Sequence, residues 1–478
     1  MANASITFLG GAGTVTGSKY LVQYADGAVL IDCGLFQGEG ALRRRNWHPP
    51  DIDLRDLRAV VLTHAHLDHC GYLPALVKAG WRGPVFATEG TCRLVEIVLR
   101  DSAHLMVEEA QQANEAGWSK HRPALPLYDE DDVADAVQLL HAAAMDDEVA
   151  VTPSAKLHLG RAGHILGSSW ALLTLADSTS VLSSGDLGRP RHPVLLPPEA
   201  RPAADVVLVE STYGDRSHAD DTDLERLAAT VRRTAARGGS VVIPAFAVDR
   251  TEVILTALRK LVQDDRIPRL PVYVDSPMAL ASLRVYRAAA DWPDSELRPE
   301  LQDLGGDPFD PGELIELRTA AESMRVNDPQ APCVIISASG MATGGRILHH
   351  LRHMLPNPRH TVAIVGFAAR GTRAQQLLAG ARTVKIHGSY VPVRADIVEL
   401  PTFSTHADAD EILAWLGTAP PPAVGFVVHG EPSAAATLRD RIDAELGWTA
   451  VVPQPDERVL IRPSPQRVNA QAPDIRAI

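Results

Sequence analysis

The chain has 478 residues, 45% of them hydrophobic and 22% charged, and a formal net charge of −13. That length exceeds one ordinary domain and leaves room for two or three with full cores. The acidic balance excludes a basic coat for nucleic acid, so any polyanion must be met by cations focused in a cleft; no apolar run approaches the roughly 18 residues of a membrane span.

The start, MANASITFLGGAG, has no basic segment ahead of its short apolar stretch, so it predicts a first strand, while the four scattered cysteines predict reduced thiols in a cytoplasmic protein. Short apolar runs ending in Gly, Asp or His follow: KYLVQY, AVLIDCG, AVVLTHAH, PVFAT, WALLTLA, SVLSSGD and DVVLVEST. All read as strands. Between PVFAT and WALLTLA, helices are predicted over 90–115 and in DDVADAVQLLHAAA. From about residue 220 the texture becomes a regular alternation. Helix 221–237 precedes SVVIPAF, helix 249–263 precedes PVYVDSP, and a helix follows at 278–289. CVIISAS then leads through the helix GRILHHLRHML to HTVAIVGF. That order predicts βαβ units on a mainly parallel sheet. The Pro-, Gly- and acid-containing stretch 291–312 reads as a surface loop, and 466–478 as a flexible tail. Cys33, Cys70, Cys92 and Cys333 have no CxxC spacing, which argues against a disulfide framework and a thiolate zinc site.

The densest chemistry lies in THAHLDHCG at 63–71. A strand ending at Thr63 projects His64 and His66 to one side, and Asp68 and His69 continue round the turn. Imidazole and carboxylate suit Zn²⁺ or another borderline first-row metal. Four ligands from one turn crowd a single tetrahedral site, so two adjacent metals fit better, one on His64 and His66, the other on Asp68 and His69. Completing ligands are available at other strand ends: His164 in GRAGHILGSS, Asp186 in SSGDLGR, His429 in FVVHGE and Asp32 in LIDCG. Burying three imidazoles and a carboxylate without a cation would leave several polar groups in need of partners.

HAHLDH, with His164, Asp186 and His429 downstream, resembles the metallo-β-lactamase superfamily, and specifically its β-CASP branch of RNA- and DNA-processing nucleases, such as the cleavage-and-polyadenylation endonuclease and ribonuclease J. The likeness runs through VESTYGDR, IPAFAVDR, VYVDSPMA, ISASGMATGGR, VGFAARGT and FSTHAD, which span nearly the whole chain. Thr405 departs from the Ala more usual before the histidine of FSTHAD. The resemblance implies a discontinuous αββα metallo-domain over 1–208 and 395–465, with a Rossmann-like β-CASP domain inserted over 209–394. It implies one metal on His64, His66 and His164, the other on Asp68, His69 and His429, with Asp186 bridging. The pair would be Zn²⁺, with Mn²⁺ or Fe²⁺ as alternatives, activating a hydroxide for attack on phosphorus. It also implies His406 as general acid, oriented by Glu210. Asp32 is expected to orient a ligand histidine or the nucleophile. The implied substrate is single-stranded RNA, with DNA less favoured and endonucleolytic cutting ahead of 5′-exonucleolytic; a homodimer is suggested by the family alone.

Backbone N–H groups ahead of a helix form an anion seat, so Ser337, Gly340, Met341 and Gly345 are expected at substrate phosphates. Arg250, Arg346 and Arg370 could add bidentate contacts. RRR at 43–45 either lines a substrate entrance or forms a salt-bridged loop. GGAGTVTG at 10–17 fits no GxGxxG frame. HHLRHM at 349–354 reads as the polar face of a helix. Two rival functions stay open: a small-molecule ester or thioester hydrolase on the same metal core, and a non-catalytic RNA-binding scaffold.

Overall fold

A computed structural model describes residues 4–117, 119–145, 147–218, 224–303, 305–366, 368 and 371–462. The chain divides into two compact units: 1–191, 197–217 and 406–478 form the first, and 192–196 with 218–405 form the second. Among the described residues, no helix is long and apolar enough to cross a membrane. The tail 466–478 and residues 221–223 of the expected helix 221–237 lie outside the described residues.

The first unit holds two seven-stranded sheets. One runs in the order Arg458–Leu460, Ser5–Gly10, Lys19–Tyr24, Gly27–Ile31, Leu57–Val61, Val85–Ala87, Leu140–Ala142. The other runs Ala450–Val451, Val424–Val427, Val206–Val209, Ser180–Ser183, Ser169–Leu175, Ala155–Arg161, Glu148–Thr152. Their facing sides make one core, because side chains alternate with period two along a strand. Val206 and Leu208 enter this middle layer with Ile6, Val29, Ile31, Val61 and Leu173, whereas Val207 and Val209 point the other way, into the helices Ala409–Leu416 and Pro432–Arg441. Phe8 and Phe426 meet across the sheets with ring centroids 5.0 Å apart. Helices Leu73–Lys78, Glu89–Ala116 and Glu130–Val137 pack together beside the first sheet. This is the expected αββα arrangement, with both sheet faces buried.

The second unit carries a six-stranded, wholly parallel sheet in the order Leu314–Glu316, Val272–Val274, Val334–Ser337, Val241–Pro244, Thr361–Val365, Asp396–Leu400. Its strands are continuous apolar runs such as VVIP and VIIS, buried at every position, as expected for a sheet covered on two faces. Strand Asp396–Leu400 pairs with Thr361–Val365, so the second unit reaches Thr405 and not residue 394.

Three element expectations change. DDVADAVQLLHAAA is helical only to Val137; Leu140–Ala142 is a strand beside Val85–Ala87, sheet pairing overriding the helical spacing. The stretch 291–312 is not merely surface: Leu297, Leu301 and Phe309 are buried, and Phe309 sits edge-on to Tyr286 at 6.3 Å. His350, read as polar-face, is buried and bonds Asp275 Oδ2 through Nε2 at 2.7 Å.

Candidate metal centre

The strands Leu57–Val61, Ser180–Ser183, Val206–Val209 and Val424–Val427 deliver His64, Asp186, Glu210 and His429 just beyond their C-terminal ends. Asp32 follows Gly27–Ile31, and His164 sits in the turn between Ala155–Arg161 and Ser169–Leu175. Rigid strand ends with short loops hold such a constellation in place. Two glycines let the ligand loops touch. A Cβ at Gly34 would lie 1.7 Å from the Asp68 carbonyl oxygen, and one at Gly188 would lie 1.7 Å from that of Gly163, next to His164. Asp32 (φ +60°) and His429 (φ +46°) occupy left-handed backbone, a conformation costing roughly 1–3 kcal/mol at a non-glycine residue and concentrated at functional sites. The glycine-rich GGAGTVTG loop supports His429, whose N–H donates to Gly11 O at 2.6 Å.

All seven expected ligands converge. His64 Nε2 and His164 Nε2 stand 3.2 and 3.3 Å from His66 Nδ1. His69 Nε2 stands 3.3 Å from His429 Nε2, which is 3.6 Å from Asp68 Oδ2. Asp186 lies between the groups, with Oδ2 3.6 Å from His64 Nε2 and Oδ1 3.3 Å from both His69 Nε2 and His429 Nδ1.

Hydrogen bonds outside this ring fix two tautomers. Asp32 Oδ2 accepts from His69 Nδ1 at 2.8 Å. The Thr63 hydroxyl donates to Asp32 at 3.0 Å, so its lone pair accepts from His64 Nδ1 at 3.1 Å. Nε2 of His64 therefore faces the Asp186 carboxylate as a bare lone pair, and Nε2 of His69 faces the same carboxylate across a gap that a proton or a cation fills. Buried lone pairs aimed at a carboxylate repel unless a cation sits among them. The donor set of imidazole and carboxylate, gathered as His64, His66, His164 and Asp186 and as Asp68, His69 and His429, with Asp186 Oδ1 also beside the latter two histidines, fits two first-row cations.

The charge environment agrees. Burial, reinforced by His69, pushes His64 well below the usual imidazole range, and burial brings His66 down to about 4, so both are neutral donors near pH 7. Burial opposes ionisation of Asp186, but His429, His69 and His64 hold its carboxyl well below the usual range. His69 is shifted upward: burial works against this, and Asp186 and Asp32 outweigh it. The carboxylates thus create a negative potential that a proton or a metal ion neutralises.

Beside this ring, His406 Nδ1 lies 3.4 Å from both Glu210 oxygens and 3.9 Å from Asp186 Oδ2. Glu210 is fully buried and accepts from Leu187 N–H at 2.6 Å and Thr212 N–H at 3.3 Å. The His406 ring lies against that of His164 with centroids 4.3 Å apart. Two residues on, Asp408 and Glu411 close a capping box that starts helix Ala409–Leu416, fixing the chain that bears His406. Sequence reading passed over Thr63 and also Thr212, whose hydroxyl is 3.1 Å from His429 Nδ1. Their one signal was adjacency, Thr63 to HxHxDH and Thr212 to Glu210.

The residues expected at phosphates belong to the second unit, except Arg370, which lies outside the described residues. Gly340, Met341 and Gly345 lie in the loop before helix Ile347–Met354. Arg346 and Ser337 both place their side chains against Asp275. The Arg346 guanidinium donates to Asp275 Oδ1 at 2.7 Å and to Leu317 O at 3.1 Å. The Ser337 hydroxyl donates to Asp275 O at 2.8 Å. Arg250 is buried and donates to the Thr405 hydroxyl at 3.2 Å, a bond that the more usual alanine could not accept.

The family models that match are the metallo-beta-lactamase superfamily over residues 12–245, the Beta-Casp domain over 251–377 and the Zn-dependent metallo-hydrolase RNA specificity domain over 390–453. The chain is 37% identical over 423 residues to ribonuclease TTHA0252 of Thermus thermophilus, spanning 88% of this chain and 92% of that protein. It is 30% identical over 450 residues to the transcription termination factor FttA of Methanocaldococcus jannaschii, spanning 91% and 68%. An RNase J-like protein of the same organism is 29% identical over 430 residues, spanning 89% and 92%. A crystal structure of a protein of unknown function from Enterococcus faecalis shares the fold, with a TM-score of 0.52 at 15% identity over 96% of this chain and all of that one (100%). With these domains in this order and a relative matched along almost its whole length, the chain belongs to the β-CASP ribonuclease branch of the metallo-β-lactamase superfamily.

Proposed function

We propose that the protein is a zinc-dependent ribonuclease that hydrolyses phosphodiester bonds of single-stranded RNA, cutting internally. The carrying observation is the convergence of ring nitrogens of His64, His69 and His429 on the Asp186 carboxylate, with a separate His406–Glu210 pair beside them. The names of the ribonuclease and RNase J-like relatives support RNA as substrate. Four free cysteines, three of them buried, suit a reducing compartment such as the cytoplasm.

His64, His66 and His164 would hold one cation, Asp68, His69 and His429 the other, and Asp186 both. When bound, the pair supplies Lewis acidity that makes water nucleophilic at neutral pH and offsets charge on the phosphate. Asp32 and Thr63 keep Nε2 of His69 and His64 free for coordination. Glu210 holds Nδ1 of His406, which leaves Nε2 to give its proton to the departing 3′-oxygen. A small-molecule hydrolase would not need this acid, and a non-catalytic scaffold would not need seven converging ligands.

Incubation with 5′-labelled and 3′-labelled single-stranded RNA, with and without chelator, tests the reading. Internal fragments bearing new 5′-phosphates are expected, and chelator should abolish them. His406→Ala should lower turnover about 10²–10⁴-fold with bound metal unchanged. Loss of both metals in that variant, or RNA left intact by the metal-loaded protein, would refute the assignment.

A further inference from the structure

A basic pocket in the first unit lies against the ligand-bearing turn and takes no part in the chemistry above. Residues 33–36 run alongside that turn: Cys33 N–H donates to His69 O at 2.7 Å, and Leu35 N–H to Leu67 O at 2.8 Å. The chain then passes into helix Gly40–Arg45 and the segment RRRNWH at 43–48. Here lies a cavity of about 420 Å³ whose walls include Lys19, Phe36, Arg44, Arg45, His48 and Tyr72. Tyr72 follows His69 by three residues, at most about 11 Å of chain, so one flexible strand can reach both places.

Lys19 is the unusual member. It is only 2% exposed, and its Nζ sits 4.5 Å from the ring centroid of Phe36 and 4.9 Å from that of Tyr72. Among the described residues its one hydrogen bond is a long one, 3.4 Å to Gly17 O, and no carboxylate pairs with it. An ammonium has three donors, and burying it without an anion is costly even between two rings. Burial accordingly brings its pKa down to about 8. The cavity beside it has space for the missing anion.

The surroundings suit a nucleotide. Arg45 stacks on Phe36 at 4.6 Å and is tied to Asp456 at 2.8 Å. Arg43 and Arg44 are exposed and, among the described residues, in no ion pair. Trp47 is 58% exposed and stands beside them in the chain. Against Lys19, Arg44 and Arg45 the cavity sets two carboxylates, Asp51 and Asp456, so a positive excess of one survives in a chain of net charge −13.

We propose that this pocket is an RNA subsite apart from the metal centre, in which Lys19 and Arg44 hold a backbone phosphate of the substrate strand and Trp47 stacks a neighbouring base. The proposal rests on the reading of the protein as an RNA-cleaving enzyme. A phosphate supplies the acceptors Lys19 lacks, and an exposed indole is a sequence-tolerant base platform. The 43–45 run would then serve both functions left open by the sequence, Arg45 as a structural ion pair and Arg44 as a substrate contact.

The test is binding of a fluorescein-labelled single-stranded RNA with hydrolysis-resistant phosphorothioate linkages to the metal-loaded protein, by anisotropy, across a range of salt. Arg44→Ala and Trp47→Ala, both surface changes, should each weaken binding about tenfold. Arg44→Ala and Lys19→Met should each reduce the slope of log affinity against log salt by about 0.7, one phosphate contact on a single strand. Arg439→Ala, a charge loss on helix Pro432–Arg441, should leave that slope alone. Wild-type affinity and slope in Arg44→Ala and Trp47→Ala, in a protein that still cuts RNA, would sink the subsite and leave the ribonuclease reading standing. Inorganic phosphate bound by the wild type and lost in Lys19→Met, with RNA affinity unchanged, would assign the pocket to a free anion and overturn the proposal. A wild-type protein that neither binds nor cuts RNA would remove both readings.

Discussion

One hydroxyl, that of Thr63, decides the tautomer of His64 and shares in deciding that of His69, because it donates to Asp32 and accepts from His64 Nδ1. Thr63→Val keeps the shape and removes both bonds. The valine variant should bind metal about 10–100-fold more weakly, read by competition with a coloured chelator, with its thermal midpoint little changed. Unaltered metal affinity would mean that His64 is oriented by packing alone. The convergence of the seven side chains was legible in the sequence because HxHxDH has few structural uses and its partners end strands. Thr63 was not, since threonine at a strand end is an ordinary β residue. Nor was Lys19, whose burial depends on Phe36 and Tyr72 closing over it from elsewhere in the chain.

Helix Ile347–Met354 shows where element-level reading runs out. Its apolar face was visible in the spacing of Ile347, Leu348 and Leu351, but His350 was assigned to water. Its partner, Asp275, lies 75 positions earlier at the end of strand Val272–Val274. No local pattern announces such a pair. Asp275 also accepts from Ser323 and Arg346. Burial alone would raise its pKa, but hydrogen bonds from His350, Ser323 and Arg346 hold the carboxyl below its usual 3.8. With the folded value depressed, the unfolded chain takes the proton first as pH falls. The contribution is therefore complete above the ordinary carboxylate range and is lost as pH drops through the lower folded value. Asp275→Asn should unfold more easily near neutrality, and its stability should fall less than the wild type's on the acid side, in urea titrations at several pH values. Parallel acid limbs would show that Asp275 does not titrate with folding. The strand 140–142 was missed for the same non-local reason, its pairing with Val85–Ala87 being invisible in QLLHAAA.

At the scale of the whole molecule, His69 and His429 meet at 3.3 Å although 360 positions separate them. Composition revealed the change of texture near 220, but only the spaced motifs told that the chain comes back to its first domain. The second crossing lay later than expected because Asp396–Leu400, amphipathic on its own, completes the parallel sheet. With a net charge of −13, a centre of histidines that takes up cations would be a sound way to meet a polyanion, since the positive charge would arrive with the cations and stay confined to that centre. The central claim, that these seven side chains hold two cations which are the cutting centre, is tested most directly by adding Zn²⁺ stepwise to chelator-stripped protein while following bound metal and cleavage of single-stranded RNA together. The account predicts that cleavage is absent without metal and reaches its full rate as the second equivalent per chain binds. Full occupancy with intact RNA, or cleavage by the stripped protein, would contradict it.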